Sequence, residues 1–245
     1  MMPQVIAQSA DPTTVGQQLL LAVRTADSGQ LAHYRQQLGA ASPGWLEQGL
    51  PDQASRLAFW LNLYNAATQW LLAADANAYR HRQRFFARRQ ILVAGTQLSL
   101  NDIEHGILRQ SRIWWSMGYL KKCFPPAHEK RWRLPLLDYR LHFALNCGAA
   151  SCPPIAFYEP EKIETQLALA ERVFLRSAVQ YNAADHAATV PKTLSWFRAD
   201  FGGAAGIRRL LQRQQLIPAG EEGSKVRLRY APYNWQLQLQ NFRAD

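Results

Sequence analysis

Apolar residues recur at helical spacing over residues 13–38 (Val15, Leu19, Leu20, Val23, Leu31, Tyr34, Leu38), with a break at Ser28-Gly29, and so predict a helical entry region. Turns at Ser42-Pro43-Gly44 and Pro51-Asp52 lead into Leu57, Trp60, Leu61, Tyr64, Trp70 and Leu71, a strongly apolar helix placed at the centre of the core. Residues 91–98 read as a short hairpin turning at 94–96. Ser99, with Asp102 three positions on, stands in capping-box position for a helix carrying Ile103, Ile107 and Leu108. His105 lies in that helix.

Beyond a loop rich in Trp, Lys and Pro (114–135), residues 140–146 alternate as a strand does. Leu141, Phe143 and Leu145 point one way and His142, Ala144 and Asn146 the other. The glycine and paired prolines of 147–154 end it. An amphipathic helix is predicted over 159–179, a strand over 185–194, a turn at Gly202-Gly203, a short basic helix over 206–215 and a late strand at Val226, Leu228 and Tyr230. The fold class expected is α+β: a single domain with a mainly antiparallel sheet and flanking helices. Residues 1–50 form a helical N-terminal extension packed on a unit spanning 51–245.

Composition narrows the class. A chain of 245 residues, 48% apolar and 19% charged, can bury a substantial core and has no disordered or fibrous bias. The net charge of +10 favours anionic partners. Phe85-Phe86 among arginines, and Trp132 between Arg131 and Arg133, would suit stacking and phosphate contacts with single-stranded nucleic acid, although no binding motif accompanies them. Three cysteines, Cys123, Cys147 and Cys152, are too few for a disulfide framework and suggest a reducing compartment. The N-terminal stretch lacks the basic start and apolar core of a signal peptide. Stretch 57–74 contains Asn62, Asn65 and Gln69 and falls short of a membrane span. A cytoplasmic location is therefore expected.

Five blocks in order, FWLNLYNAATQWLL, LSLNDIEHGILR, DYRLHFALNCGAASCPP, TLSWFRADFGG and YAPYNWQLQ, resemble the successive blocks of the DUF547 family of bacteria and plants, from about Leu57 to Gln238. The resemblance implies a DUF547-like unit over 51–245 and no particular reaction. It directs attention to Trp60, Asn62, Tyr64, Asn65, Asp102, His105, Arg109, Asp138, Arg140, His142, Cys147, Ser151, Cys152 and Pro153. Two positions depart from the family pattern: Tyr139 stands where proline is expected, and Asn234 where aspartate is.

Cys147, ahead of Gly148 at the end of the predicted strand, is the candidate nucleophile, since glycine lets the backbone turn and expose donors. His105, from another element, is the preferred base and His142 the alternative. Cys152 precedes two prolines and a later helix, whose N-terminus could stabilise its thiolate. CGAASC is not a CxxC redox motif. Asn62 and Asn65, three apart in an apolar helix, imply a hydrogen-bond network that supports backbone or touches substrate. Arg109 and Arg140 are candidate orienting groups or anion binders. Glu104-His105 lacks the second histidine of HExxH, so no metal and no cofactor are expected. The reading is thiol-dependent acyl transfer or hydrolysis of a small-molecule or peptide substrate. The competing class is a non-catalytic interaction domain whose polar cluster only holds the fold.

Overall fold

A computed structural model describes residues 10–244; residues 1–9, part of the stretch read above for a leader, and residue 245 lie outside the described residues. Helices α1 (Pro12–Arg24), α2 (Ser28–Ala40) and α3 (Pro43–Gly49) open the chain. Asp11, Asp27 and Ser42 cap their first turns with side-chain oxygens. The predicted break is thus the start of α2, whose Gln30 N–H is taken by Asp27.

Helix α4 (Gln53–Ala74) begins with a reciprocal Asp52–Ser55 cap. Consecutive residues 57–70 are buried on every face, as a helix surrounded by others must be. Val15, Leu19 and Leu20 of α1 share its core cluster, so the N-terminal helices and α4 are packed into one interior. No helix among the described residues is long and apolar enough to cross a membrane.

Helix α5 (Arg82–Ala87) precedes the hairpin β1 (Ile91–Val93) and β2 (Thr96–Leu98), joined at Ala94 and Gly95, both at positive φ as a two-residue hairpin turn requires. Ser99 and Asp102 then exchange hydrogen bonds as predicted. What they start is mainly a π-helical segment, Asp102–Leu108. Arg109 N–H reaches the Glu104 carbonyl and Ser111 N–H the Gly106 carbonyl, each at 2.8 Å. Gly106 leaves room for Glu129 of helix α6 (Ala127–Trp132), whose carboxyl carbon would lie 2.6 Å from a Cβ there.

Residues 140–146 do not form the predicted strand. Tyr139–Phe143 is a 3-10 turn capped by Asp138, which accepts the Arg140 N–H and also grips its guanidinium. The alternation in polarity had no matching alternation in environment, because residues 141–146 are all buried. In place of a neighbouring strand, the Asn65 side chain serves this backbone: it donates to the Ala144 carbonyl at 3.0 Å and accepts the Asn146 N–H at 2.8 Å.

Helix α7 (Ile163–Ala178) leads to β3 (Gln180–Asn182), β4 (Ala187–Val190), α8 (Thr193–Trp196), α9 (Gly203–Arg213), α10 (Gly220–Ser224) and β5 (Arg227–Tyr230). The second sheet has order β3-β4-β5, antiparallel then parallel. Two of the three strand pairings are therefore antiparallel, in two small sheets. Helix α7 ties the interior together: Ile163 and Leu167 belong to the α4 cluster, Phe174 and Leu175 to the cluster under β4 and α9. The result is a single α+β domain. After β5 the chain returns as a strap along residues 148–155, with Ala150 N–H on the Gln236 carbonyl, Gln238 N–H on the Gly148 carbonyl and Ile155 N–H on the Asn241 carbonyl, each at 2.8 Å.

Candidate functional site

Helix α4 fixes the cysteine loop. Asn65 holds residues 144 and 146, and Asn146 folds the following turn by accepting the Gly148 N–H at 2.9 Å and donating to the Pro153 carbonyl at 2.8 Å. Gly148 has φ +85° with Leu72 packed against it, so the sharp turn expected after Cys147 is present and needs glycine. This turn brings Cys152 back to Cys147. Their sulfurs are 2.8 Å apart, and the Cys147 N–H points at Cys152 Sγ at 3.0 Å. The strap adds the Tyr233 hydroxyl, 3.2 Å from Cys152 Sγ and 3.4 Å from Cys147 Sγ.

The two thiols differ in acidity. Cys147 is pushed well up by its hydrogen bond to Cys152 and by burial. Burial also raises Cys152, but hydrogen bonds from Cys147, Tyr233 and the amides of Cys147 and Ala149 outweigh it and lower the thiol. The donors are these groups, and none of them belongs to the helical segment that begins at Pro160.

Both histidines line the same cleft of about 1170 Å³ as the cysteines, with Tyr64, Glu104, Phe197 and Tyr233. Among the described residues no hydrogen bond joins either imidazole to either sulfur. His142 sits flat on Phe197, centroids 4.0 Å apart, with Nε2 2.8 Å from Asp200 Oδ2. Burial holds it at about 4, against the pull of Asp200. Burial opposes ionisation of Asp200 too, yet His142 and Arg109 keep it at about 2. Asp200 also receives Arg109 Nε at 2.6 Å and has Arg112 Nε at 3.3 Å.

His105 Nδ1 takes a hydrogen bond from Arg109 Nη1 at 2.9 Å. Arginine only donates, so the neutral ring carries its proton on Nε2. In His142 the carboxylate claims Nε2–H and Nδ1 keeps the lone pair. Burial and the Arg109 cation drive His105 well below the usual histidine range. Glu104 is pushed up by burial while accepting the Tyr64 hydroxyl at 3.0 Å. Among the described residues, His105 Nδ1 is thus occupied by Arg109, while His142 Nδ1 receives no hydrogen bond.

The remaining predicted residues support this arrangement from behind. Both Asn62 polar atoms are used by the Tyr158 backbone, at 2.8 and 3.0 Å. Arg109 is fully buried between Asp200, His105 and the Phe197 ring. Arg140 is occupied by Asp138 and Glu164. Asn62, Asn65, Arg109 and Arg140 are not among the residues lining the cleft.

A family model described as "Protein of unknown function, DUF547" matches residues 48–175. The chain belongs to this family. No curated protein and no solved structure matches it. The DUF547 match contains both cysteines and both histidines, while Asp200, Phe197 and Tyr233 lie beyond its end. Those three were not singled out in the sequence, although the fourth and fifth blocks quoted above contain them. A histidine needing an acceptor was the one available signal for Asp200.

The cleft rim is basic and aromatic. Arg80, Arg82 and Arg84 line it, and among its described lining residues Glu104 is the single carboxylate. Arg82 stacks on Trp235 at 4.7 Å, and Trp235 packs on Tyr233 at 4.5 Å. Apart from this cleft, Asp102, His128 and Glu129 bring possible metal-ligand atoms within 4.8 Å of one another. Arg89 and Lys122 already pair with the two acids.

Proposed function

We propose that the protein is a thiol-dependent enzyme of the acyl-transfer or hydrolytic class, acting on an ester, thioester or amide. The observation that carries this reading is the unequal thiol pair facing a cleft that also holds an imidazole anchored to a buried carboxylate. Cys152 Sγ faces the Cys147 N–H at 3.0 Å and the Tyr233 hydroxyl at 3.2 Å, donors that favour a thiolate there. Cys152 is therefore taken as the nucleophile and Cys147 as its proton-holding partner, the reverse of the order expected from sequence. The base is His142 Nδ1 in place of His105. His105 Nε2–H is left as a neutral donor toward a carbonyl oxygen, a role an imidazole of low pKa can fill.

With an ester, the Cys152 thiolate adds to the carbonyl carbon, and collapse expels the alkoxide, which takes the Cys147 proton. The products are a Cys152 thioester, the alcohol and a Cys147 thiolate. Water then attacks the thioester and passes a proton to His142. Collapse returns the Cys152 thiolate and frees the acid, and the imidazolium reprotonates Cys147. Arg80 and Arg84 on the rim favour a substrate bearing negative charge.

The test is reaction with a p-nitrophenyl acyl ester. A burst of p-nitrophenol with the acyl mass on Cys152, abolished in Cys152→Ala, is expected. An acyl group on neither sulfur defeats the reading.

A second reading is favoured by the 2.8 Å sulfur separation: a dithiol that becomes a disulfide by giving two electrons to a small disulfide and releasing two protons. Cys147→Ala separates the two, because it abolishes disulfide formation while the p-nitrophenol burst persists at a lower rate, p-nitrophenoxide leaving without a proton.

A further inference from the structure

The strongest feature the thiol chemistry leaves unexplained is the loop 113–124. Trp114 is 56% exposed, Trp115 61% and Phe124 94%, with Met117, Tyr119 and Leu120 about half exposed. Scattered exposed apolar residues need no explanation, but a run of six within twelve positions does.

The loop is held in this presentation. Arg112 and Lys121 pair at its base; Ile113 N–H reaches the Leu120 carbonyl at 2.9 Å and Lys122 N–H the Ser111 carbonyl at 2.8 Å. Inside it, the Ser116 hydroxyl donates to the Ile113 carbonyl at 2.8 Å and accepts the Leu120 N–H at 3.1 Å. The Met117 carbonyl is anchored by Ala199 N–H at 3.0 Å. Met117 and Gly118 lie at positive φ, at +52° and +87°. The apolar side chains therefore face outward from a fixed backbone, and docking them costs little ordering entropy.

We propose that this loop docks the protein on an anionic membrane surface. Charge complementarity selects that occupant. Exposed Lys121 and Lys130 accompany the loop, Glu129 is the one acidic residue from 112 to 137 and is buried, and the chain carries +10 overall. Tryptophan and tyrosine favour the bilayer interface, where an apolar ring and a polar tip are both satisfied. Basic side chains beside an anionic leaflet add about 1 kcal/mol each. Trp114, Trp115 and Met117 also line the cleft, so docking would set the cleft mouth against the bilayer. The proposal does not depend on the thiol chemistry.

The experiment is co-sedimentation of the full chain with vesicles of phosphatidylcholine alone or mixed with phosphatidylglycerol, alongside tryptophan emission. Binding to the mixed vesicles only, a blue shift, and weakening with added salt are expected. The variant Trp114→Ser/Trp115→Ser/Phe124→Ser should bind at least about tenfold more weakly. Lys121→Glu/Lys130→Glu, at two exposed positions, should lose the preference for anionic vesicles. Cys152→Ala should bind like the parent. No binding, equal binding to both vesicle types, or unchanged binding in both loop variants overturns the proposal. So does a loop that engages a soluble protein while vesicles are ignored.

Discussion

His142 gives its Nε2–H to Asp200 Oδ2 at 2.8 Å, across 58 positions of sequence, and the acceptor is itself clamped by buried Arg109. Removing this carboxylate leaves a buried guanidinium without its partner. Asp200→Ala should therefore lose about 3–5 kcal/mol of stability. Asp200→Asn should fold better yet let His142 adopt the other tautomer, cutting turnover by about 10²–10⁴. Thermal melts and ester kinetics on the two variants check this; equal turnover in Asp200→Asn would remove His142 from the mechanism.

The sulfur pair makes a prediction about labelling order. Cys152 should be alkylated by iodoacetamide before Cys147 at neutral pH, because the hydrogen bond between the two thiols lowers Cys152 and raises Cys147, and the Cys147 N–H points at Cys152 Sγ. In Cys147→Ala, Cys152 loses the thiol donor and should react more slowly at that pH. Peptide mass spectrometry after short exposure reads both rates, and the opposite order counts against Cys152 as the nucleophile.

Acid should destabilise the fold in two steps. His142 titrates at about 4 in the folded chain, against an ordinary 6.5, so the unfolded chain binds more protons between these values. Stability is full above pH 6.5 and falls as the pH drops toward 4, by on the order of 3 kcal/mol. His105 moves in the same direction. Asp200, held at about 2, contributes a further loss only from about 3.8 downward. Urea midpoints at stepped pH measure this, and His142→Gln should flatten the first step.

Asn65→Ala should cost about 2–4 kcal/mol, since it leaves the buried Ala144 carbonyl and Asn146 N–H unserved. It should also disorder the cysteine turn and raise iodoacetamide labelling of Cys147. Asn62→Ala should be similarly destabilising without changing the labelling, because it supports Tyr158. Calorimetry with parallel labelling distinguishes the pair.

Gly118 has φ +87° and lies so close to Asp200 that an added Cβ would fall 3.0 Å from Arg109 Nη2 and closer still to the carboxylate. Gly118→Ala should lose about 1–3 kcal/mol through backbone strain and crowding. Gly95→Ala has the strain and open space around it, and should lose less. A comparison of melting temperatures decides it.

Periodicity by itself determined the parts of this protein whose signals are local. The α4 core, the β1–β2 hairpin, the Ser99–Asp102 cap, α7 and the Gly148 turn follow from apolar spacing and from residues that satisfy their own neighbouring amides. The candidate Cys147, Cys152, His105 and His142 were likewise legible as chemical types in one family's blocks. Tertiary structure decided what those types do. The strand expected over 140–146 is a 3-10 turn, because Asp138 caps it locally and Asn65, about eighty residues away, takes the hydrogen bonds a partner strand would have taken. Cys152 Sγ receives the Cys147 N–H because the Gly148 turn folds it back, and a C-terminal strap lays the Tyr233 hydroxyl over both sulfurs, nearer to Cys152. Asp200 takes the His142 Nε2–H and Arg109 fills the His105 Nδ1 lone pair, so the two imidazoles are held in opposite tautomers. Acidity and tautomer are set by partners within about 3 Å, and which partners arrive there is a property of the folded chain.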